Sequence, residues 1–390
     1  MQFKCPHCES ILASDDVTIG MDIKCPECKR NFVVEPYVRT PKLTVISSPS
    51  SNDHKNGEFV DVIHEKVISY FGIEKLKGFS LKELFSEAFS KHSREEVEES
   101  FSMGTKKSTP DILEIDASWP KPWLFMRMLI ASLVLYFLFW VGYNSFQNPN
   151  LIPGWILIGS FAVPISVLVL FIEMNIRRNV SIYMIARLVF LGGILSLLFS
   201  LLSSNFFDNG WWGASSAGPI EETGKVLAML AVARSAQYRY KLNGLLIGAS
   251  VGVGFAAFET AGYALRFLAL DGIDTMEEVL IMRGFLSPLA HIVWSAIAGF
   301  AMWRTIKGRN FHWRMLVDVD FIRLLLIPVI LHMLWNTPIS LPFFAKEIIL
   351  GVISWFICFS LIQEGIREIQ IEQEEERIRR GVAEKNEIGE

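Results

Sequence analysis

Gly218-Pro219-Ile220-Glu221-Glu222-Thr223-Gly224-Lys225-Val226-Leu227 places two adjacent carboxylates and a lysine inside a segment that otherwise reads as a membrane helix. A charge near the bilayer centre costs roughly 2.5–3.5 kcal/mol on insertion scales, so three within two turns need a reason. On a helix, Lys225 lies one turn beyond Glu221 and three residues beyond Glu222, which puts a counter-ion on the same face. One reading is an ion pair facing the inside of a bundle. The other is a reactive site, and the rest of the chain has to decide between them.

The chain has 390 residues, of which 51% are hydrophobic, and a net charge of −4. Its mean hydropathy of +0.34 averages two unlike parts. Residues 1–120 are mixed and polar, whereas 124–363 are dominated by apolar runs of about 20 residues, each long enough to cross a hydrocarbon core of roughly 30 Å. So small a net charge does not favour a nucleic-acid partner, and none is expected. The chain opens directly on a cysteine motif rather than a signal peptide, so export of the N-terminus is not expected.

Eight spans are predicted, at 124–143, 151–172, 184–204, 215–233, 243–266, 284–303, 322–341 and 345–363. Lysine and arginine gather on alternate connections: Lys121 and Arg127, Arg177 and Arg178, Arg234 to Lys241, Arg304 to Arg314, and Arg367 to Arg380. Connections 144–150 and 205–214 have neither residue, and 267–283 is net acidic. The positive-inside rule then puts both termini in the cytoplasm. The predicted fold is an all-α polytopic membrane protein, an eight-helix bundle preceded by a small zinc ribbon.

That ribbon occupies residues 1–35. Cys5-Pro6-His7-Cys8 and Cys25-Pro26-Glu27-Cys28 have the spacing of two thiolate knuckles closing an all-cysteine, structural zinc site. Disulfides would need an oxidising compartment, which cytoplasmic termini do not supply. Residues 36–57, with three prolines and a serine-rich run, read as a linker. Residues 58–105 read as a small helical module, in which Ser80 with Glu83 and Ser93 with Glu96 look like capping boxes. A cytoplasmic protein partner is the expected use of ribbon and module. Residues 106–123 lead to the membrane core at 124–363, and 364–390 form a charged helical tail.

Three further spans carry polar pairs one turn apart: Glu259 with Tyr263, His291 with Ser295, and His332 with Asn336. A lone histidine in an apolar helix is usually a hydrogen-bonded interior residue, but four polar sets on four consecutive spans are harder to attribute to packing. Counted from the span ends at 1.5 Å per residue, Glu221, Glu259, His291 and Asn336 lie roughly 8–11 Å below the outer boundary, with His332 a turn deeper. Pro219, Pro288 and Pro338 flank this layer, either kinking the spans or marking their ends. Gly248, Gly252, Gly254 and Gly262 would let the fifth span approach its neighbours closely.

Such a layer suits hydrolysis by an activated water. A carboxylate beside an imidazole can deprotonate water, and a second histidine with an asparagine can hold an oxyanion. Cys358 lies away from the layer and Ser295 lacks a base dyad, which disfavours covalent catalysis.

Together these motifs over 124–363 resemble the PrsW family of intramembrane proteases, within the larger group of CAAX prenyl endopeptidases and ABI/CPBP proteins. The resemblance implies an endopeptidase of the bacterial inner or plasma membrane that cuts a membrane-anchored protein near the outer face. It implies that Glu221 or Glu222 activates water with His291, that His332 and Asn336 hold the oxyanion, and that Glu259, Tyr263 and Lys225 position them. A glutamic mechanism is favoured over a catalytic zinc held by Glu222, His291, His332 and Glu259, because no His-Glu-x-x-His motif is present. Outside this class, a proton or cation transporter would need polar residues through both leaflets, and a scaffold that has lost its activity would keep the same motifs.

Overall fold

The computed structural model describes residues 2–4, 11–13, 22–26, 29, 31–33 and 70–388, apart from 75, 77, 106, 205–212, 233–237 and 310. The chain divides into two units, 1–57 and 58–390.

The first unit contains two antiparallel hairpins. β1 (Gln2–Lys4) pairs with β2 (Ile11–Ala13), and β3 (Asp22–Lys24) pairs with β4 (Asn31–Val33). Gln2 faces Ala13 and Asp22 faces Val33, so the second hairpin repeats the first with an offset of 20 residues. Strands thus flank the second Cys-x2-Cys pair. Cys25 follows β3 directly and is buried. Lys29, in the left-handed region at φ 60°, closes the turn by donating its N–H to the Cys25 carbonyl at 2.9 Å. Cys5, Cys8 and Cys28 lie outside the described residues, as do the linker at 36–57 and the segment over Val60 to Ile68.

The second unit is helical. Two short helices come first, α1 (Leu81–Leu84) and α2 (Arg94–Phe101). Ser80 accepts the N–H of Glu83, and Ser93 with Glu96 forms a reciprocal capping box, as the sequence pattern suggested. The membrane helices are α3 (Leu124–Phe146), α4 (Ile152–Met174), α5 (Ile182–Ser204), α6 (Ala217–Val232), α7 (Lys241–Asp271), α8 (Ile273–Leu286), α9 (His291–Ile306), α10 (Val319–Trp335) and α11 (Ala345–Ile388).

The span count differs from the expectation. Among the described residues six stretches are long and apolar enough to cross a membrane: α3, Pro149–Met174, α5, α7, Ile273–Ile306 and Pro342–Gly381. The expected fourth and seventh spans are α6 and α10; α10 has 17 residues, short of the roughly 20 that a crossing needs, and α6 is described for 16 residues, up to the point where the described residues break off after Val232. The 267–283 connection is helical rather than a loop. Its charges Asp271, Asp274, Glu277 and Glu278 hid a helix that the apolar pattern alone does not outline. The expected span 284–303 is broken at Ser287–Leu289, so His291 opens α9 instead of lying inside it. Pro288 sits in that break, Pro219 in the first turn of α6, and Pro338 just beyond α10, so all three mark helix ends.

The described residues of the second unit ahead of α3 pack against the helices. Ile73, Leu84, Met103, Ile112 and Ile115 belong to the same apolar core as the helices. Gln373 on α11 donates to the carbonyls of Ile112 and Ile115, and Arg380 pairs with Asp111 at 2.8 Å. The charged tail is thus the continuation of α11, and it clasps the segment read above as a lead into the membrane. Glu173 at the end of α4 accepts the N–H groups of Trp123, Leu124 and Phe125 at 2.8–3.0 Å, closing the open amides at the start of α3.

Helix α7 packs backbone to backbone against α9. A Cβ added at Gly244, Gly248 or Gly252 would lie 2.6, 2.0 or 2.7 Å from the carbonyl oxygens of Gly299, Ser295 and His291 respectively. This is a small-residue stripe with a four-residue period, the device that lets membrane helices touch backbone to backbone. Gly254 faces the other way, where a Cβ would meet the Val189 carbonyl in the π-turn Leu188–Gly192 of α5. Gly262, expected to share the packing role, has open space around it. Gly248→Val should therefore leave little folded protein, read by size-exclusion profile in detergent. Gly262→Ala should keep the wild-type profile, and equal losses in both would contradict the stripe.

Candidate functional site

Each of the polar helices delivers its residues to one buried cluster. α6 supplies Glu221, Glu222 and Lys225; α7 supplies Glu259; α9 begins with His291; and α10 supplies His332. The glycine stripe sets the height of His291, because its carbonyl rests against Gly252.

Lys225 and Glu222 are fully buried and 2.7 Å apart. Lys225 also reaches Nδ1 of His291 at 3.0 Å and lies 4.3 Å over the centre of the Phe255 ring. Glu222 Oε1 is shared, taking His332 Nδ1 at 3.0 Å as well. That bond turns Nε2 of His332 toward Glu221, whose Oε2 is 3.7 Å away. Nε2 of His291 lies 3.3 Å from Glu259 Oε2, and Arg283 on α8 donates to the same oxygen at 2.5 Å. Arg283 also donates to Thr260 Oγ1 at 3.1 Å and covers the Tyr263 ring at 4.6 Å.

The result is a chain of alternating groups: Arg283, Glu259, His291, Lys225, Glu222, His332 and Glu221. A buried ion is tolerable only when paired and hydrogen-bonded, and here each charge faces an opposite charge or an imidazole. Trp294 stacks on His332 at 4.8 Å and meets His291 edge-on, with its own N–H donated to Ser354 Oγ at 3.0 Å. The indole fixes both imidazoles between aromatic walls.

Of the residues proposed from sequence, Glu221, Glu222, Lys225, Glu259, His291 and His332 come together. Tyr263 touches the cluster only through Arg283. Ser295 is buried one turn below His291, with its hydroxyl unpartnered against Gly252. Asn336 is not on the helical face: α10 ends at Trp335, and Asn336 caps it through its backbone N–H to the His332 carbonyl. No contact of its amide with the cluster is found among the described residues. Arg283, Trp294 and Phe255 were missed. Arg283 fell in the acidic connection, and the two aromatic residues are indistinguishable by pattern from ordinary core.

One donor atom each from Glu221, His291 and His332 lies within 4.8 Å of the others, a group able to hold a metal ion. Two observations support the fit. Glu221 Oε2 is buried without a hydrogen-bond partner, as is Glu222 Oε2. The carboxylate–imidazole bond from Glu222 to His332 is the arrangement that fixes the tautomer and aim of a metal-bound histidine.

A family model described as PrsW family intramembrane metalloprotease matches residues 153–362. The match takes in all of the clustered residues and more than half of the chain, which therefore belongs to the PrsW family. It is an integral membrane peptidase of a metal-dependent group, acting on membrane-anchored substrates. No curated protein and no solved structure matches the chain.

Breaking the buried pair should be costly. Lys225→Ala, which strands Glu222, is expected to destabilise by about 3–5 kcal/mol. Lys225→Met combined with Glu222→Gln, which removes both charges and leaves His332 an acceptor, should recover most of the loss. Thermal unfolding in detergent measures both, and a double variant no better than the single would show that pairing is not what holds this helix.

Proposed function

We propose that the protein is a metal-dependent intramembrane endopeptidase that hydrolyses a peptide bond of a membrane-anchored protein, with the ion held by Glu221, His291 and His332. The observation that carries this reading is the convergence of those three donors in a member of a metalloprotease family. It departs from the glutamic mechanism favoured by the sequence. The zinc alternative weighed from the sequence also drew its ligands from separate helices, but with Glu222 as the carboxylate where Glu221 is the one grouped with the two histidines. Glu222 is also poorly suited to act as a base, since it is fully buried and one of its oxygens already holds both Lys225 and His332.

When bound, the ion would polarise the scissile carbonyl and acidify a water molecule. The remaining residues do the positioning. Glu222 keeps the proton on Nδ1 of His332 and so frees Nε2. Lys225 balances Glu222 and holds His291 from the other side. Glu259, anchored by Arg283 and 18% exposed, is the carboxylate placed to accept a proton from an attacking water.

The same proposal extends to the ends of the chain. Two hairpins repeated at 20 residues, each set around a Cys-x2-Cys pair, support a structural zinc held by Cys5, Cys8, Cys25 and Cys28. The lysine and arginine distribution supports both termini in the cytoplasm, with α6 and α10 completing eight crossings and the cut made near the outer face. A cytoplasmic protein partner for the ribbon and for residues 58–105 belongs to this reading.

Zinc content separates the two sites. Purified protein should carry two zinc ions, and Cys25→Ser with Cys28→Ser or His291→Ala with His332→Ala should each lower the count to one. Retention of two ions in the histidine variant would remove the catalytic metal. Activity is tested by co-expressing a panel of tagged single-span proteins with wild type or Glu221→Gln. Wild type should generate a fragment that the variant does not, and a chelator should abolish it in detergent until zinc is restored. Equal fragments from both would refute the site.

A further inference from the structure

A small cavity adjoins the cluster on the side away from Lys225. Its volume is about 100 Å³, and His291 forms one end of it. Ala256 from α7, Met282 and Leu286 from α8, Ala290 before α9 and Trp335 from α10 make up its apolar walls. The polar groups at its edge are already engaged: Ser287 Oγ donates to the Gly284 carbonyl at 3.0 Å, and Arg283 is bound to Glu259 and Thr260. Most of the lining is apolar, so a guest needs few hydrogen bonds.

Three features make this cavity more than a packing gap. First, it ends at an imidazole of the donor group, so a side chain lodged in it sits beside the atoms where cleavage would occur. Second, it is bounded by the break between α8 and α9, where Ala290 adopts φ −126° and ψ −117°. That break stops α8 from filling the space that a continuous helix would occupy. Third, its α8 wall is exposed on the outside: Ile281 is 54%, Met282 43% and Phe285 67% accessible. A substrate helix arriving sideways through lipid would meet this face first.

We propose that the cavity is the subsite that receives one aliphatic side chain of the substrate, of Val, Leu or Ile size, next to the peptide bond to be cut. The assignment rests on the endopeptidase reading above. Size sets the specificity. An engineered apolar cavity of roughly 150 Å³ admits a benzene ring. A space of about 100 Å³ suits a branched aliphatic group better than Phe or Trp. Hydrophobic pockets discriminate by about 10–200-fold for changes of one methylene, so the preference should be visible in kcat/KM.

The test uses the full-length protein in detergent and a single-span protein that it cleaves. Residues on each side of the cut are replaced one at a time by Ala, Val, Leu, Phe and Trp. At one position wild type should cleave the Val or Leu substrate at least about tenfold better than the Phe substrate. Leu286→Ala, which enlarges the cavity, should raise cleavage of the Phe substrate about tenfold. Ala256→Leu, which fills it, should cut the Leu substrate poorly while keeping the Ala substrate. If both variants cleave but retain the wild-type preference, the subsite is wrong and the peptidase stands. If wild type cleaves nothing that Glu221→Gln does not, the endopeptidase reading fails and takes the subsite with it. Should Ala256→Leu not fold, Leu286→Ala alone decides, since it removes atoms from a buried wall instead of adding them.

Discussion

The architecture depends on the backbone contact between α7 and α9. Lipid gives helices no hydrophobic reason to associate, so close packing has to supply the attraction. Gly244, Gly248 and Gly252 provide it by letting the carbonyls of Gly299, Ser295 and His291 approach within a distance that any Cβ would forbid. Because the contact is backbone to backbone, it sets both the crossing and the register of α9. His291 and Trp294 then fall where α6 and α10 can meet them. The opposite side of α7 uses Gly254 in the same way against α5, so this one helix organises neighbours on two faces.

Charge is the second constraint, and it is resolved inside the protein. Between Arg283 and Glu221 no carboxylate is left facing another without a cation or an imidazole between them. The two carboxylates of α6 consequently differ. Glu222 is locked by two partners, whereas Glu221 is 18% exposed and keeps one oxygen open. Adjacent identical residues thus acquire separate tasks from their direction on the helix. The cavity beside His291 is bordered by Arg283, whose guanidinium is drawn to Glu259 and Thr260.

Much of the cluster was legible in the sequence because charges in an apolar run are conspicuous. Glu221, Glu222, Lys225, Glu259, His291 and His332 stand out one by one, and their spacing assigns them to helical faces. Asn336 was misjudged because periodicity continues past the point where a helix stops, and α10 stops one residue earlier. Arg283 was hidden for the reverse reason. A charged helix between two apolar ones looks like a loop when hydropathy is the only guide. The division of labour between Glu221 and Glu222, the role of Trp294 and the cavity itself depend on contacts across helices. Adjacency along one strand of sequence does not encode them. The repeat of a short hairpin at an interval of 20 residues was not outlined by the cysteine spacing, which carries no information on strand register.

The buried pairing also carries a consequence for synthesis. Glu222 and His332 are 110 residues apart in the chain, and the helices between them must enter the bilayer first. During that interval α6 holds two carboxylates and only its own lysine for company. Such a segment has little tendency to partition into lipid unaided. Its stable residence in the bundle is completed only when α10 arrives and His332 closes the network. Assembly is therefore ordered by the chemistry of the site: the last helices made release the first polar one from its dependence on the insertion machinery. A cluster drawn from α6, α7, α9 and α10 is complete only once the last of the four is in place.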